Sequence, residues 1–324
     1  MAWRLRLAPE TTNFDFFRWQ AVTFGGSMLL MVFAFAAWAV MGLNFGIDFK
    51  GGTTIRTESA QPVDVGAYRA ALESLPLGDV AITEVFDPSF GPEQNVAMVR
   101  IAALDATASV TPEEIAAVEA ALRTIDPNMT FPSVESVGPK VSGELVWGSI
   151  IAVALTSLGV LIYIWVRFEW QFALGGVLAL LHDVFITIGI FALFQLKFDL
   201  TIIAGLLTIL GYSINDTVVV FDRLRENLQK YKQMPLRDVM NLSVNETLSR
   251  TLMTSVTTLI AVGAMMIFGG DVIRGFCFSI FVGVVLGTYS SVYVAKNIVL
   301  FIGLDRSEKP KNRGTPDDFA NVDA

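Results

Sequence analysis

Residues 200–221 form an apolar run of 22 residues with one charged side chain, Asp216. As a helix rising about 1.5 Å per residue, the run is roughly 33 Å long, enough to cross a hydrocarbon core of about 30 Å. An ionised carboxylate in hydrocarbon costs several kcal/mol, so an acid there faces the bundle interior and points to function. Asp216 stands beside Asn215, with Tyr212 and Ser213 one turn earlier. The cluster Asp222, Arg223, Arg225 and Glu226 marks the return to water.

Similar runs at 19–43, 145–166, 170–196, 251–269 and 275–304 bring the number of expected spans to six. With 53% hydrophobic and 17% charged residues, the chain reads as a polytopic membrane protein carrying a modest soluble part. The first run is longer than the about 7–15 apolar residues of a secretory signal, so it reads as an uncleaved span. The net charge of −8 argues against a nucleic-acid binder. A single cysteine, Cys277, excludes a disulfide framework, and a single histidine, His182, cannot build a His-rich metal site. No metal or cofactor is expected.

Charge and proline return in residues 44–144. IDFKGGTTIRTES reads as a strand with a bend at Gly51-Gly52. After Pro62, Val65, Tyr68, Ala71, Leu72 and Leu75 recur at helical spacing. DVAITEVF and NVAMVRIAAL alternate as strands around the loop DPSFGPEQ. Thr111-Pro112-Glu113-Glu114 opens a helix expected to run to Ile125, and MTFPSVESVGPKVS supplies a last strand. The order β-α-β-β-α-β predicts an α+β, ferredoxin-like domain.

The short connections fix an expected orientation. The connection 222–250 holds Arg223, Arg225, Lys230, Lys232, Arg237 and Arg250, and the tail holds Arg306, Lys309, Lys311 and Arg313. The opposite loops hold only Lys197 and Arg274. Both termini, 1–18 and 305–324, are therefore expected in the cytoplasm, and domain 44–144 outside, with the tail disordered. The domain carries 15 acidic against six basic residues, which fits, because long translocated domains escape the charge rule. Residues 145–304 then form a five-helix bundle joined through 222–250. Small residues at Gly148 and Ala152, Gly175 and Ala179, and Gly283 and Gly287 are expected where helices touch.

Asp216 lies six residues, about 9 Å of helix, before Asp222. Arg250 opens the next span from the same side, so the two are expected at similar depth. Desolvation and a neighbouring guanidinium pull a carboxylate's proton affinity in opposite directions, which is what a proton relay needs. The alternative for Asp216 is a static clamp with Asn215 or Tyr212. For Arg250 it is snorkelling to the interface and pairing with Glu246. His182-Asp183 lies mid-span, about 20 Å from Trp170 and roughly 10 Å from the depth of Asp216. It reads as a hydrogen-bonded stitch between helices or as a second relay station.

FGIDFKGGT at 45–53, Leu181-His182-Asp183, GYSINDTVVVFDRLREN and NLSVNETLSRTLMTSVTTL together resemble the SecD/SecF family, on its SecF side. The likeness covers five of the six spans. The 44–144 domain resembles the family mainly by position. The resemblance implies a six-span half of an RND-like twelve-helix unit completed by a SecD-type subunit. It implies an inner-membrane location, an accessory role at the SecYEG translocon, and proton-driven movement of a preprotein across the membrane. The family's membrane acid and arginine fall on Asp216 and Arg250, with a second acid coming from the partner. Gly46, Asp48, Lys50, Gly51 and Gly52 fall on the motif joining the first span to the outer domain, where Lys50 is expected to form an ion pair.

Rival readings remain open at this point. An RND-like exporter of lipids or small molecules would use the same acid but needs an apolar cleft, which a small acidic domain disfavours. An intramembrane aspartyl protease needs two carboxylates sharing a proton, and the expected depths of Asp183 and Asp216 do not allow it. A passive scaffold would not need Asp216. The chain is not expected to be an enzyme.

Overall fold

The computed structural model describes residues 12–85, 91, 94–102 and 110–304. The expected disordered tail at 305–324, the far N-terminus and most of the 86–93 loop lie outside the described residues. Six helices are long and apolar enough to cross a membrane. Helix α1 (Gln20–Met41) leads through β1 (Asn44–Phe45) and a short turn, α2 (Ile47–Lys50), into the α+β domain. That domain contains β2 (Gly52–Ser59), α3 (Val65–Leu72), β3 (Val80–Val85), β4 (Asn95–Ile101), α4 (Pro112–Leu122) and β5 (Thr130–Val137). The bundle follows with α5 (Pro139–Arg167), α6 (Trp170–Leu193), β6 (Lys197–Phe198), α7 (Leu200–Lys230), α8 (Leu236–Phe268) and α9 (Gly270–Ser290). A π-helical turn, Ser291–Ala295, joins α9 to α10 (Lys296–Ile302).

The domain sheet has the order β3-β4-β2-β5, every pair antiparallel. Alternation along the strands puts Ile55, Ala97, Val99 and Ile101 on one face, packed with Tyr68 and Leu72 of α3 and Val118 and Leu122 of α4. Asp64 caps α3, and Thr111 with Glu114 forms a capping box on α4. The opposite sheet face, with Thr54, Arg56, Met98 and Glu135, roofs a cavity of about 1040 Å³ whose other side mixes Phe191, Ile202 and Phe278 with the charged Lys197, Asp199 and Arg274. A drug-sized space therefore exists, between domain and bundle rather than within the domain.

Ile47–Lys50 is a helical turn, where a continuous strand was expected. The reason lies in the next two residues. Gly51 has φ +74° and Gly52 φ +120°, and a Cβ on Gly52 would stand 2.4 Å from the Ile101 carbonyl oxygen. Only glycine admits that backbone and that approach. β1 pairs in parallel with β6, and the Asp48 carboxylate accepts the Leu200 N–H at 3.0 Å. Asp199 also caps α7, accepting from the N–H groups of Thr201 and Ile202. Arg100 of β4 donates to the Phe45 carbonyl at 2.8 Å. The start of α7 is thus tied both to the motif around Gly46 and to the α+β domain.

The polar connection 222–250 is mostly helix: α7 runs on to Lys230 and α8 begins at Leu236. Its charges sit on helical extensions. Residues 12–18 lie along the start of α8. Asn245 Nδ2 donates to the Phe14 carbonyl, the Phe14 N–H donates back to Asn245 Oδ1, and the Phe16 N–H donates to Asn241 Oδ1. Lys296, only 1% exposed, donates to the Phe16 carbonyl, with its Nζ 3.8 Å from the centre of the Phe17 ring.

Close packing follows the small residues unevenly. Gly283 and Gly287 sit against Ile209 and Ser213 of α7, and Gly175 sits against Val299 and Ala295. A Cβ on Gly189 would fall 2.3 Å from the Ala34 Cβ of α1. Gly148, expected at a contact, has nothing within 4 Å of its would-be Cβ.

Candidate functional site

Asp216 and Arg250 occupy neighbouring helices, α7 and α8. Asp216 is 2% exposed, and Arg250, Thr254 and Asn215 are the polar groups that face its carboxylate. No ion pair within 4.0 Å joins Asp216 to Arg250, and Arg250 is exposed. The alternative pairing with Glu246 does not form. The Glu246 carboxylate instead accepts from Arg223 Nε at 2.7 Å and Asn227 Nδ2 at 2.6 Å, holding the C-terminal part of α7 to the N-terminal part of α8.

The carboxylate is incompletely satisfied. Among the described residues, Asp216 Oδ2 is buried without a hydrogen-bond partner, as are the Tyr212 hydroxyl one turn before it on α7 and the Thr251 hydroxyl on α8. The expected clamp from Tyr212 is therefore not made. Buried polar atoms are nearly always paired, and exceptions concentrate where a group exchanges a proton or binds something. Asn215, next to Asp216, faces the carboxylate and is itself exposed.

Asp183 presents the opposite arrangement. It is 0% exposed and accepts from Ser213 Oγ at 2.8 Å, Ser290 Oγ at 2.7 Å and His182 Nδ1 at 2.9 Å. The other ring nitrogen, Nε2, lies 2.5 Å from Ser27 Oγ of α1. The pair therefore joins α1, α6, α7 and α9. Its depth departs from expectation. Ser213 is only three residues, about 4.5 Å of helix, from Asp216, so the levels differ by about one turn and not by roughly 10 Å. Counting from helix ends misplaced it because α7 continues well past Asp222. Lys50, expected in an ion pair, is exposed and forms none among the described residues.

Residues 117–305 match the family described as "Protein export membrane protein SecD/SecF, C-terminal", and 36–63 match the "SecD/SecF GG Motif". The first match spans more than half of the chain. The chain belongs to the SecD/SecF family. It is 68% identical over 324 residues to a "Protein translocase subunit SecF" of Cereibacter sphaeroides, covering 100% of both chains. It is 63% identical over 318 residues to the protein of that name from Rhodobacter capsulatus, covering 96% of each. A crystal structure of SecDF from Thermus thermophilus, described as a translocon-associated membrane protein, superposes with a TM-score of 0.80 at 35% identity. That match covers 91% of this chain and 39% of the longer SecDF chain. A SecDF structure in the super-membrane-facing form matches with a TM-score of 0.66, again at 35% identity.

Sequence reasoning missed Ser27, Ser290, Thr254 and Lys296, and saw Ser213 only as a neighbour of Asp216. A single serine in an apolar run gives no signal of its partner. Asp48 was seen as part of a linker and not as a cap on α7.

Proposed function

We propose that this chain is the SecF-type half of a proton-driven accessory unit of Sec protein translocation, and that Asp216 is its proton carrier. As a SecD/SecF protein it is a multi-pass inner-membrane subunit that works with a SecD-type partner. In the finer reading, residues 1–18 and 305–324 are cytoplasmic flanks, 19–43 is the first span, 44–144 is a periplasmic ferredoxin-like domain and 145–304 is the five-helix bundle. The split order of the strands, β3-β4-β2-β5 with a helix after β2 and after β4, supports the ferredoxin-like assignment.

The observation that carries the proposal is the Asp216 carboxylate, buried beside Arg250 and Thr254 with one oxygen unpaired. A carboxylate so placed gains from taking a proton, while the guanidinium favours giving it up. The SecD-type partner would complete the proton site from the Asn215 side. One charge crossing about 100 mV releases about 2.3 kcal/mol, enough to bias a two-state movement. The route for that movement is the tie between α7 and the α+β domain, in which Asp48 caps the helix that carries Asp216. Gly46, Gly51 and Gly52 give this tie its close packing, and Lys50 has no part in it. A preprotein leaving SecYEG would be the load.

Asp216→Asn keeps side-chain size and removes titration. It is expected to abolish stimulation of export by the proton gradient while leaving assembly with the SecD-type partner and ATP-driven translocation intact. Arg250→Met is expected to do the same. Gradient-stimulated export at wild-type level from Asp216→Asn in inverted membrane vesicles overturns the proposal. The cavity beneath the sheet favours one other reading, export of an amphiphile. In that case Asp216→Asn stops amphiphile efflux and leaves preprotein export unchanged.

A further inference from the structure

The buried pair on α6 has chemistry beyond joining helices. Asp183 has three side-chain donors, and His182 presents one ring nitrogen to it and the other to Ser27. With Asp183 ionised, the neutral ring carries its hydrogen on Nδ1 and accepts the Ser27 hydroxyl at Nε2. A carboxylate and a neutral imidazole together leave one uncompensated negative charge in a site 0% to 2% exposed, which is costly. A proton added at Nε2 cancels that charge. The Ser27 oxygen then accepts from Nε2–H, and its hydroxyl hydrogen turns toward the neighbouring Tyr289 hydroxyl. No heavy atom has to move, and the three donors to Asp183 keep their roles in both states.

We propose that His182, held by Asp183 and Ser27, is a second proton-binding site, and that Ser213 links its charge state to α7 one turn from Asp216. The proposal rests on Asp216 being the proton carrier, because that carrier supplies the gradient-linked signal. The groups that face the pair are few. α1 contributes Ser27 and no charged residue. α7 contributes Ser213, with Tyr212 and Asp216 nearby, and α9 contributes Ser290 and Tyr289. Tyr293 and Lys296 lie further along, with the Tyr293 ring 5.1 Å from that of Tyr289 and Lys296 Nζ 5.5 Å from the Tyr293 ring. Asp216, the proposed carrier, lies one turn along α7 from the Ser213 that bonds Asp183.

His182 is the single histidine of the chain, so one isotopic label reports on it alone. The full chain is labelled with ¹⁵N-histidine, joined to its unlabelled SecD-type partner in lipid vesicles, and followed by solid-state NMR from about pH 8 down to about pH 5. The expected spectrum changes from one neutral tautomer, with hydrogen on Nδ1, to the doubly protonated ring. Ser27→Ala and Asp216→Asn are each expected to shift the midpoint of that change. One unchanging protonation state across the range overturns the proposal, whether neutral or charged. So does a midpoint indifferent to both variants, since a structural stitch has no reason to titrate with α7. The two readings fail separately. A static His182 with gradient-driven export still lost in Asp216→Asn removes only the second site. A titrating His182 with export retained in Asp216→Asn removes the carrier and leaves a proton-binding pair without its linkage.

Discussion

In the α+β domain, Ile55, Ala97, Val99 and Ile101 are each 0% exposed beneath two helices, while in the bundle Val166 and Phe268 are each more than 80% exposed. Along the 29 residues of α5, only Ser142, Ser149 and Ile164 are buried, and beyond Ser255 no residue of α8 is buried. The domain encloses its apolar surface within its own chain. The bundle buries its polar groups inside, Asp183 and Asp216 among them, and turns apolar side chains outward to lipid and to a partner. One part therefore has a core of its own and is expected to fold alone, whereas the other is expected to depend on its surroundings for its shape.

The strongest way to break this contrast is at Gly52. Residues 47–141 expressed alone are expected to give a mixed helix and strand circular dichroism spectrum and a cooperative melt. Gly52→Ala forces a Cβ into the Ile101 carbonyl at a φ of +120° and is expected to cost about 3 kcal/mol, read as a lowered urea midpoint. A variant that melts like the parent shows that the domain is not closed by this backbone contact. Next in size is Gly189→Val, which pushes α6 away from Ala34. An overpacked contact of this kind costs about 1–3 kcal/mol, so the full chain in detergent is expected to melt several degrees lower. Association with a SecD-type partner is expected to recover part of that loss, because a ligand of the native bundle stabilises it by mass action. No recovery removes the claim that the bundle depends on its partner.

The smallest effect concerns acid. Asp126 accepts from Ser59 Oγ at 2.5 Å and from the Asn128 N–H at 2.9 Å, and these bonds hold its carboxyl below the usual carboxylate range. A group whose folded-state pKa is depressed stabilises the fold above its unfolded pKa, about 3.9. That contribution is lost as pH falls through the lower folded value. Ser59→Ala is expected to lower domain stability near neutrality and to flatten its loss below about pH 4, where parent and variant converge. An identical acid melting profile for parent and variant removes Asp126 as a source of acid sensitivity.

The six spans were legible because each needs only an uninterrupted apolar run, and all six appear as long helices. The extent of α7 and α8 was not. Arg223, Arg225 and Arg237 look like a loop in sequence, yet charged residues extend helices into water as readily as they end them. Asp216 and Arg250 were legible as chemistry because ionisable groups in apolar runs are costly wherever they fold. The distance between Asp183 and Asp216 was not, because residue counting measures position along one helix and not the offset between two. Nor does anything in the run before Ser27 announce that it meets His182.

The π turn at Ser291–Ala295 sets a reading-frame limit on the last span. Each residue gained or lost in a helix rotates everything after it by about 100°. Ser290 reaches Asp183 before the turn, and Lys296 enters its aromatic cage around Phe17 immediately after it. Because a π turn carries one more residue than an α turn, loss of one codon within 291–295 would let the backbone relax into a regular helix with Lys296 still facing that cage, and the hold on Phe16 and Phe17 would survive. A single-codon deletion in the regular helix on either side has no extra residue to give up and re-aims all that follows.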